Sequence, residues 1–317
     1  MLWPDSDSER MAGYGWYVGP KPCILLVDVA SSVAVAAWPN AARPGRSRER
    51  FPRARRRQEV LGSRAGWLAT VNRPCQFAWV GLASSDPARA TAFYTGLFGW
   101  RSHELATGMG AVTIFSLRDE DVAILYSQTP EARAADVAPH WTSFIAVPDA
   151  LAAVTEALDH GGAILREPFD VVDRGRVATV RDPSGAVISL WQPLTQSGAT
   201  LVSSVNAHAR TELVTADLAR AKSFYGAVFG WRFEDDAPRS VRVIDVPGPY
   251  VTMRAHAERE PLGDGWLPYF MVEDVSETAA GAASLGGAYL GNATEADSAL
   301  IADPTGATFA VLAETSA

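Results

Sequence analysis

Cysteine is almost absent from this chain of 317 residues, with only Cys23 and Cys75 present. Two such distant thiols make neither a disulfide framework nor a thiolate metal site, so a reducing compartment, the cytoplasm, is expected. Lysine is equally scarce. Lys21 and Lys222 are the only two, and the bias toward arginine reads as genomic base composition rather than chemistry. The sequence has no nucleophile elbow of the GxSxG type, no phosphate-binding P-loop and no dinucleotide fingerprint, and Asp-Pro-Ser-Gly (182–185) is a turn, not a nucleophile motif. No apolar run is long enough to span a membrane. The nearest, Cys23 to Trp38, is interrupted by Asp28 and follows an acidic leader with Asp5, Asp7 and Glu9, unlike a secretory signal.

What is present is the composition of a folded globular chain, 48% apolar and 20% charged, and long enough for two domains. The charge is split. Residues 1–75 hold twelve Lys/Arg against six Asp/Glu, and the remainder carries a balance of −14. An acidic body of this kind repels a phosphate backbone, so nucleic acid is not expected as a partner. Eight arginines crowd into residues 43–57 without apolar periodicity, and residues 1–74 are expected to be a disordered, solvated extension.

Beyond that point the chain repeats itself. Asp86-Pro87 through FYTGLFGW (93–100) returns as Asp217-Leu218 through FYGAVFGW (224–231), and RDPSGAVISLW (181–191) is answered by ADPTGATFAVL (302–312). A long repeat with a shifting offset means duplicated domains that differ in loop length, here 75–195 and 203–315. Each copy divides again, because WTSFIAVPDALAAVTEALDHGG (141–162) and WLPYFMVEDVSETAAGAASLGG (266–287) follow the same strand-then-helix plan.

Local physics gives each unit its order. In FAWVGLASSD, Val80 and Leu82 alternate with Trp79 and Gly81, a strand with two distinct faces. Asp86 can cap a helix with Pro87 at its first position, and Ala90, Phe93, Tyr94 and Leu97 form the apolar stripe before Gly99 stops it. Ala221, Phe224, Tyr225 and Val228 repeat the spacing. Short strand-like runs follow (111–117, 122–126, 177–182, 186–191), so a unit reads βαβββ.

Four βαβββ units, an Asp after the first strand, a Phe-Tyr helix ending in Phe-Gly-Trp, and an Asp-Pro-x-Gly turn before the last strand resemble the vicinal-oxygen-chelate superfamily of glyoxalases, bleomycin-resistance proteins and extradiol dioxygenases. The resemblance covers about three quarters of the chain. It implies an α+β fold of two tandem domains, each a curved eight-stranded mixed sheet with helices on the convex side and a ligand on the concave face. It also implies that the two domains imitate the dimer formed by single-domain members.

In metal-dependent members the ligands lie seven residues before the helix-capping Asp of each unit and seven after the Asp of the Asp-Pro-x-Gly turn. These places hold Trp79, Thr142 and Ser189 in the first domain and Arg210, Leu267 and Ala310 in the second. The remaining place, near Val122–Tyr126 or Val251–Arg254, has neither His nor carboxylate. A divalent ion needs nitrogen or carboxylate donors, so no metal cofactor is expected.

Strand alternation puts Trp79, Gly81, Thr142, Phe144, Ser189 and Trp191 on one face, with Tyr126 beside them, an aromatic cleft suited to a flat organic molecule or else an ordinary core. The same face of the second domain carries Arg210, Glu212, Tyr269 and Met271. Arg210 and Glu212 must pair with something there, as a salt bridge at the domain interface, as a grip on a polar substrate group, or as an acid and base. His208 stands two residues from a lost ligand place, and a short register slip would restore it; His103 and Glu104 are candidates to approach the cleft, and His140, His160 and His256 read as structural.

The function expected is metal-free binding or sequestration of an aromatic or antibiotic-like metabolite by a monomer or homodimer without a membrane partner. The alternatives are a metal-dependent glyoxalase-like lyase or isomerase, an extradiol-type dioxygenase, or an interaction scaffold without a ligand.

Overall fold

The computed structural model describes residues 75–107, 110–256, 262–293 and 297–314; the Arg-rich extension expected over residues 1–74 lies outside them. The first unit runs β1 (Phe77–Ser84), α1 (Pro87–Phe98), β2 (Arg101–Thr107), β3 (Gly110–Leu117) and β4 (Glu120–Ser127). A short helix α2 (Pro130–Ala134), absent from the sequence reading, leads into the second unit: β5 (His140–Ala146), α3 (Ala150–Asp159), β6 (Ala163–Val171), β7 (Gly175–Arg181) and β8 (Val187–Pro193). The third is β9 (His208–Thr215), α4 (Leu218–Phe229), β10 (Arg232–Ala237), β11 (Ser240–Ile244) and β12 (Tyr250–Ala255). The fourth is β13 (Gly265–Val272), α5 (Val275–Ser284), β14 (Ala288–Gly291), β15 (Ser298–Ala302) and β16 (Thr308–Ala313).

Units pair into two eight-stranded sheets with the orders β2-β3-β4-β1-β5-β8-β7-β6 and β10-β11-β12-β9-β13-β16-β15-β14. In each, the two first strands meet antiparallel at the centre and each lies parallel to the last strand of its own unit. The expected α+β tandem of curved mixed sheets is what forms.

The helices begin and end for the reasons written in the sequence. Asp86 and Asp217 accept hydrogen bonds from the amides of Arg89 and Arg220, and Gly99 and Gly230 close the helices at φ 67° and 70°, a left-handed turn that costs glycine nothing. The buried stripe ends at Phe98 and Phe229, with Leu97 and Val228 only half-buried.

That difference follows from what each helix packs against. Val80, Leu82, Phe93, Tyr94 and Phe98 share one core with Phe270, Ile301 and Phe309 of the fourth unit, while Ile145, Val180 and Leu190 of the second unit share another with Leu213, Phe224, Tyr225 and Phe229 of the third. Each helix-bearing face is thus buried against the other domain's, and the concave faces are left with separate, smaller clusters. At about 1.5–3 kcal/mol for each fully buried large apolar side chain, these shared cores dominate cohesion.

Two polar staples lock the same interface. The Tyr94 hydroxyl donates to Asp303 Oδ2 at 3.1 Å and accepts from Trp141 Nε1 at 3.0 Å. Its counterpart Tyr225 donates to Asp182 Oδ2 at 2.9 Å and accepts from Trp266 Nε1 at 2.9 Å. Both aspartates belong to Asp-Pro-x-Gly turns, where Oδ1 takes the turn's own amides, so each carboxylate binds its turn with one oxygen and the opposite domain with the other. Burial, then the adjacent aspartate charge, raises both phenols well above their ordinary range, so they stay protonated donors.

Candidate functional site

On the first sheet, alternation sends Val80 and Leu82 into the helix layer and leaves Trp79 and Gly81 on the concave face. There Trp79 lies opposite Phe144 and Gly81 opposite Thr142, while Phe144 stands beside Ser189. Trp79, Phe144 and Trp191 pack together at 4–5% exposure, and Ile124, Tyr126 and Phe169 ring them, half-buried. Two glycines make this packing possible. A Cβ at Gly81 would lie 2.8 Å from the Phe144 ring, and one at Gly175 would collide with the Trp191 ring.

Two of the polar groups of this face find partners on neighbouring strands or in the segment beside it. Thr179 and Ser189 hydroxyls are 3.0 Å apart, Trp191 Nε1 donates to the Gln196 carbonyl at 3.0 Å, and burial raises the Tyr126 phenol above its ordinary range. Trp79, Tyr126, Thr142, Phe144, Ser189 and Trp191 therefore share one surface. The sequence reading missed Phe169, whose place depends on two register shifts in the β6–β7 pairing, and Gln196, which follows from no repeat. Gln196 belongs to the interdomain segment, whose Ala199 amide donates to the Ala78 carbonyl at 2.8 Å.

The second sheet puts different chemistry in the same places. Equivalent register positions replace Trp79 by Arg210, Gly81 by Glu212, Ile124 by Thr252, Tyr126 by Arg254 and Phe144 by Tyr269. Glu212 is fully buried and accepts from Arg210 Nη2 at 2.8 Å, Tyr269 hydroxyl at 2.9 Å, Arg254 Nε at 3.0 Å and Thr252 at 3.3 Å. Arg210 also stacks over Tyr269, with its guanidinium carbon 4.8 Å from the ring centroid. The four partners named here come from the second sheet, so Arg210 and Glu212 meet within a concave-face cluster rather than as a bridge across the domain interface. Beside it lie Leu267 and Leu300, an apolar half of the same face.

His208 is not near this cluster. A register shift in the β9–β13 pairing, matched by one in β1–β5, turns His208 and its counterpart Phe77 to the helix-side face, where the two rings lie 6.4 Å apart. Burial lowers the imidazole pKa to about 3, and Nε2 meets Thr211 Oγ1 at 2.6 Å. The slip that would have restored a ligand is thus cancelled by the bulge. His103 and Glu104 are exposed on the outermost strand and do not enter the cleft. His140 and His160 are exposed too, and His256 lies 3.4 Å from Asp264.

Among the described residues no three His, Cys, Asp or Glu side chains are arranged to hold a metal ion. Among the described residues, Glu212 is the one acid set at or beside the ligand places, and two guanidinium groups already bind it, which repels a cation. The side chains at these places do not fit a divalent ion.

Comparison with known proteins agrees with this architecture. Residues 76–190 match the model of the glyoxalase/bleomycin resistance protein/dioxygenase superfamily, and residues 210–312 match that of a glyoxalase-like domain. The chain is 34% identical over 243 residues to the putative glyoxylase CFP32 of Mycobacterium tuberculosis, covering 74% of this chain and 93% of that protein. It is 30% identical to the anthracycline biosynthesis protein DauV of Streptomyces sp. strain C5, covering 74% and 92%. Among solved structures, the Mn(II)-bound glyoxalase of Novosphingobium aromaticivorans superimposes with a TM-score of 0.54 at 14% identity, covering 77% of this chain and 83% of that one. The 2,3-dioxygenase LapB of Pseudomonas sp. KL28 gives 0.53 at 13%, covering 76% and 93%. On its repeats, its two sheets and these matches, the chain belongs to the glyoxalase/bleomycin resistance protein/dioxygenase superfamily as a tandem two-domain member.

Proposed function

We propose that this protein binds a flat, largely apolar organic molecule on the concave face of its first sheet, and does so without a divalent metal. The observation that carries the reading is the substitution pattern at the family's ligand places. Trp79, Tyr126, Thr142 and Ser189 offer rings and hydroxyls where a metal would need imidazole or carboxylate, and this favours stacking and hydrogen bonding over coordination. A ligand would lie on the half-buried Tyr126 and Phe169, above a floor of Trp79, Phe144 and Trp191. Fused-ring molecules are the first class to test, since two relatives are named for anthracycline biosynthesis.

Binding to the native state raises its apparent stability, so a thermal-shift screen of planar aromatic compounds, with tryptophan fluorescence as a second signal, reads the activity directly. Trp191→Ala and Phe144→Ala are expected to weaken a screening hit about tenfold or more while the chain stays folded. Collapse of both variants, or unaltered affinity, would assign these rings to the core instead.

A further inference from the structure

The helix-bearing side of the second sheet has an opening that the core does not fill. A cavity of about 790 Å³, in the size range of small-molecule clefts, lies between the start of α4 and the turn joining β10 to β11. Strand alternation decides which groups reach it. Glu234 and Arg242 are cross-strand partners that point to the concave side and pair with each other at 3.1 Å. Asp235 and Val241, the next pair, therefore point toward the helix, where Val241 joins the interdomain core and the exposed Asp235 stands at the rim of the cavity. Leu218 and Lys222, one turn apart on α4, line the same opening.

The lining holds charges that do not neutralise one another. Lys222 is half-buried with its ammonium 5.8 Å from the centre of the Phe233 ring, and among the described residues neither it nor Asp235 nor Arg239 has an ion-pair partner. Asp236, the other acid of the lining, accepts from the Tyr250 hydroxyl at 3.1 Å. Two free cations and one free acid thus border one opening whose apolar wall is Leu218 and Val241. The shared fold does not demand them. In the repeat, Thr91 and Ser102 of the first domain stand where Lys222 and Phe233 stand in the second, and Lys222 is the only lysine among the described residues of a chain that otherwise uses arginine. Arg239 follows Pro238 in the two-residue turn at φ 68°, a left-handed place that glycine would take without strain.

A ligand that satisfies all three free charges must itself carry both signs. We propose that this cleft, on the side of the sheet away from the concave face, is a binding site for a zwitterion of the amino-acid type. Its carboxylate lies between Lys222 and Arg239, its ammonium on Asp235, and an apolar side chain against Leu218 and Val241. The site does not rest on the first-sheet reading, and the two would take ligands of different chemistry.

The test titrates L-leucine into the full chain by calorimetry, with N-acetyl-leucine, which lacks the ammonium, and leucinamide, which lacks the carboxylate, as controls. Saturable binding of leucine is expected, with each control weaker by about tenfold or more. Lys222→Met removes the charge and keeps an apolar side chain of similar length, and Asp235→Asn lies at an exposed strand position, so both variants stay folded. Each is expected to weaken leucine about tenfold, while Trp191→Ala, which strips the aromatic floor of the first sheet, leaves it unchanged. The proposal is overturned if wild-type protein shows no saturable binding of leucine, if either control binds as tightly as leucine, or if either charge variant binds it as wild type does. Loss of leucine binding in Trp191→Ala would put the ligand on the first sheet and overturn it as well.

Discussion

At the scale of single residues, Glu212 and His208 show how burial decides behaviour. Glu212 accepts hydrogen bonds from two arginines, a threonine and a tyrosine with no exposure to solvent. Removing it strands buried guanidinium groups, so Glu212→Ala is expected to cost about 3–5 kcal/mol in urea unfolding. The triple replacement Arg210→Met, Glu212→Leu, Arg254→Met is expected to cost less than that single change, because it removes the charges together. A single-variant cost below about 1 kcal/mol would mean the cluster is solvated. His208 is neutral in both folded and unfolded chains above pH 6.5. Below that the unfolded chain takes up a proton that the folded one refuses until about pH 3. Stability should therefore fall by about 1.4 kcal/mol per pH unit through this window from this residue alone. His208→Gln has no such proton, so the stability gap between wild type and variant should narrow as pH drops from 6.5 to 4. A constant gap would contradict burial of a neutral imidazole.

At the scale of elements, much was legible and some was not. The strand–helix order, the Asp caps and the glycine stops follow from short-range rules, and the family's ligand places could be counted from the capping aspartates. The bulge that moves His208 off the concave face depends on pairing with β13, which no local pattern in β9 announces. Trp141 and Trp266 gave no sign of their role as hydrogen-bond donors, because their partners lie far along the chain or in the opposite helix. On the second sheet strand spacing showed that Arg210 and Glu212 share a face and need partners but pointed to the domain interface, whereas Arg254 and Thr252 enter only through parallel pairing of β12 with β9. Glycine at 175 is also a tertiary requirement, set by the Trp191 ring lying on it. Gly175→Ala should cost about 1–3 kcal/mol and shift tryptophan emission, and a variant as stable as wild type would show that the Trp191 ring moves freely.

At the scale of the whole molecule, the two sheets form one cooperative body, because each core draws its side chains from both. The Phe-Tyr helix and the Asp-Pro-x-Gly turn, the motifs that carry the family resemblance, serve this assembly and not the concave faces. Tyr94→Phe and Tyr225→Phe should each cost about 1.5–3 kcal/mol by leaving an aspartate oxygen and an indole N–H without their shared partner. The two sites lie in separate cores with no shared hydrogen-bond partner, so the double variant should lose about the sum within a single unfolding transition. Two separate transitions would mean that the domains unfold independently.

The central claim is that the concave face of the first sheet binds a flat organic molecule through rings and hydroxyls, without a cation. The direct measurement is metal content by mass spectrometry on purified, dialysed protein, followed by calorimetric titration with a screened aromatic ligand before and after chelator treatment. The account predicts far less than one equivalent of Zn, Ni, Mn or Fe per chain and the same affinity in both titrations. A stoichiometric transition metal, with binding lost on its removal and restored on its return, would contradict it.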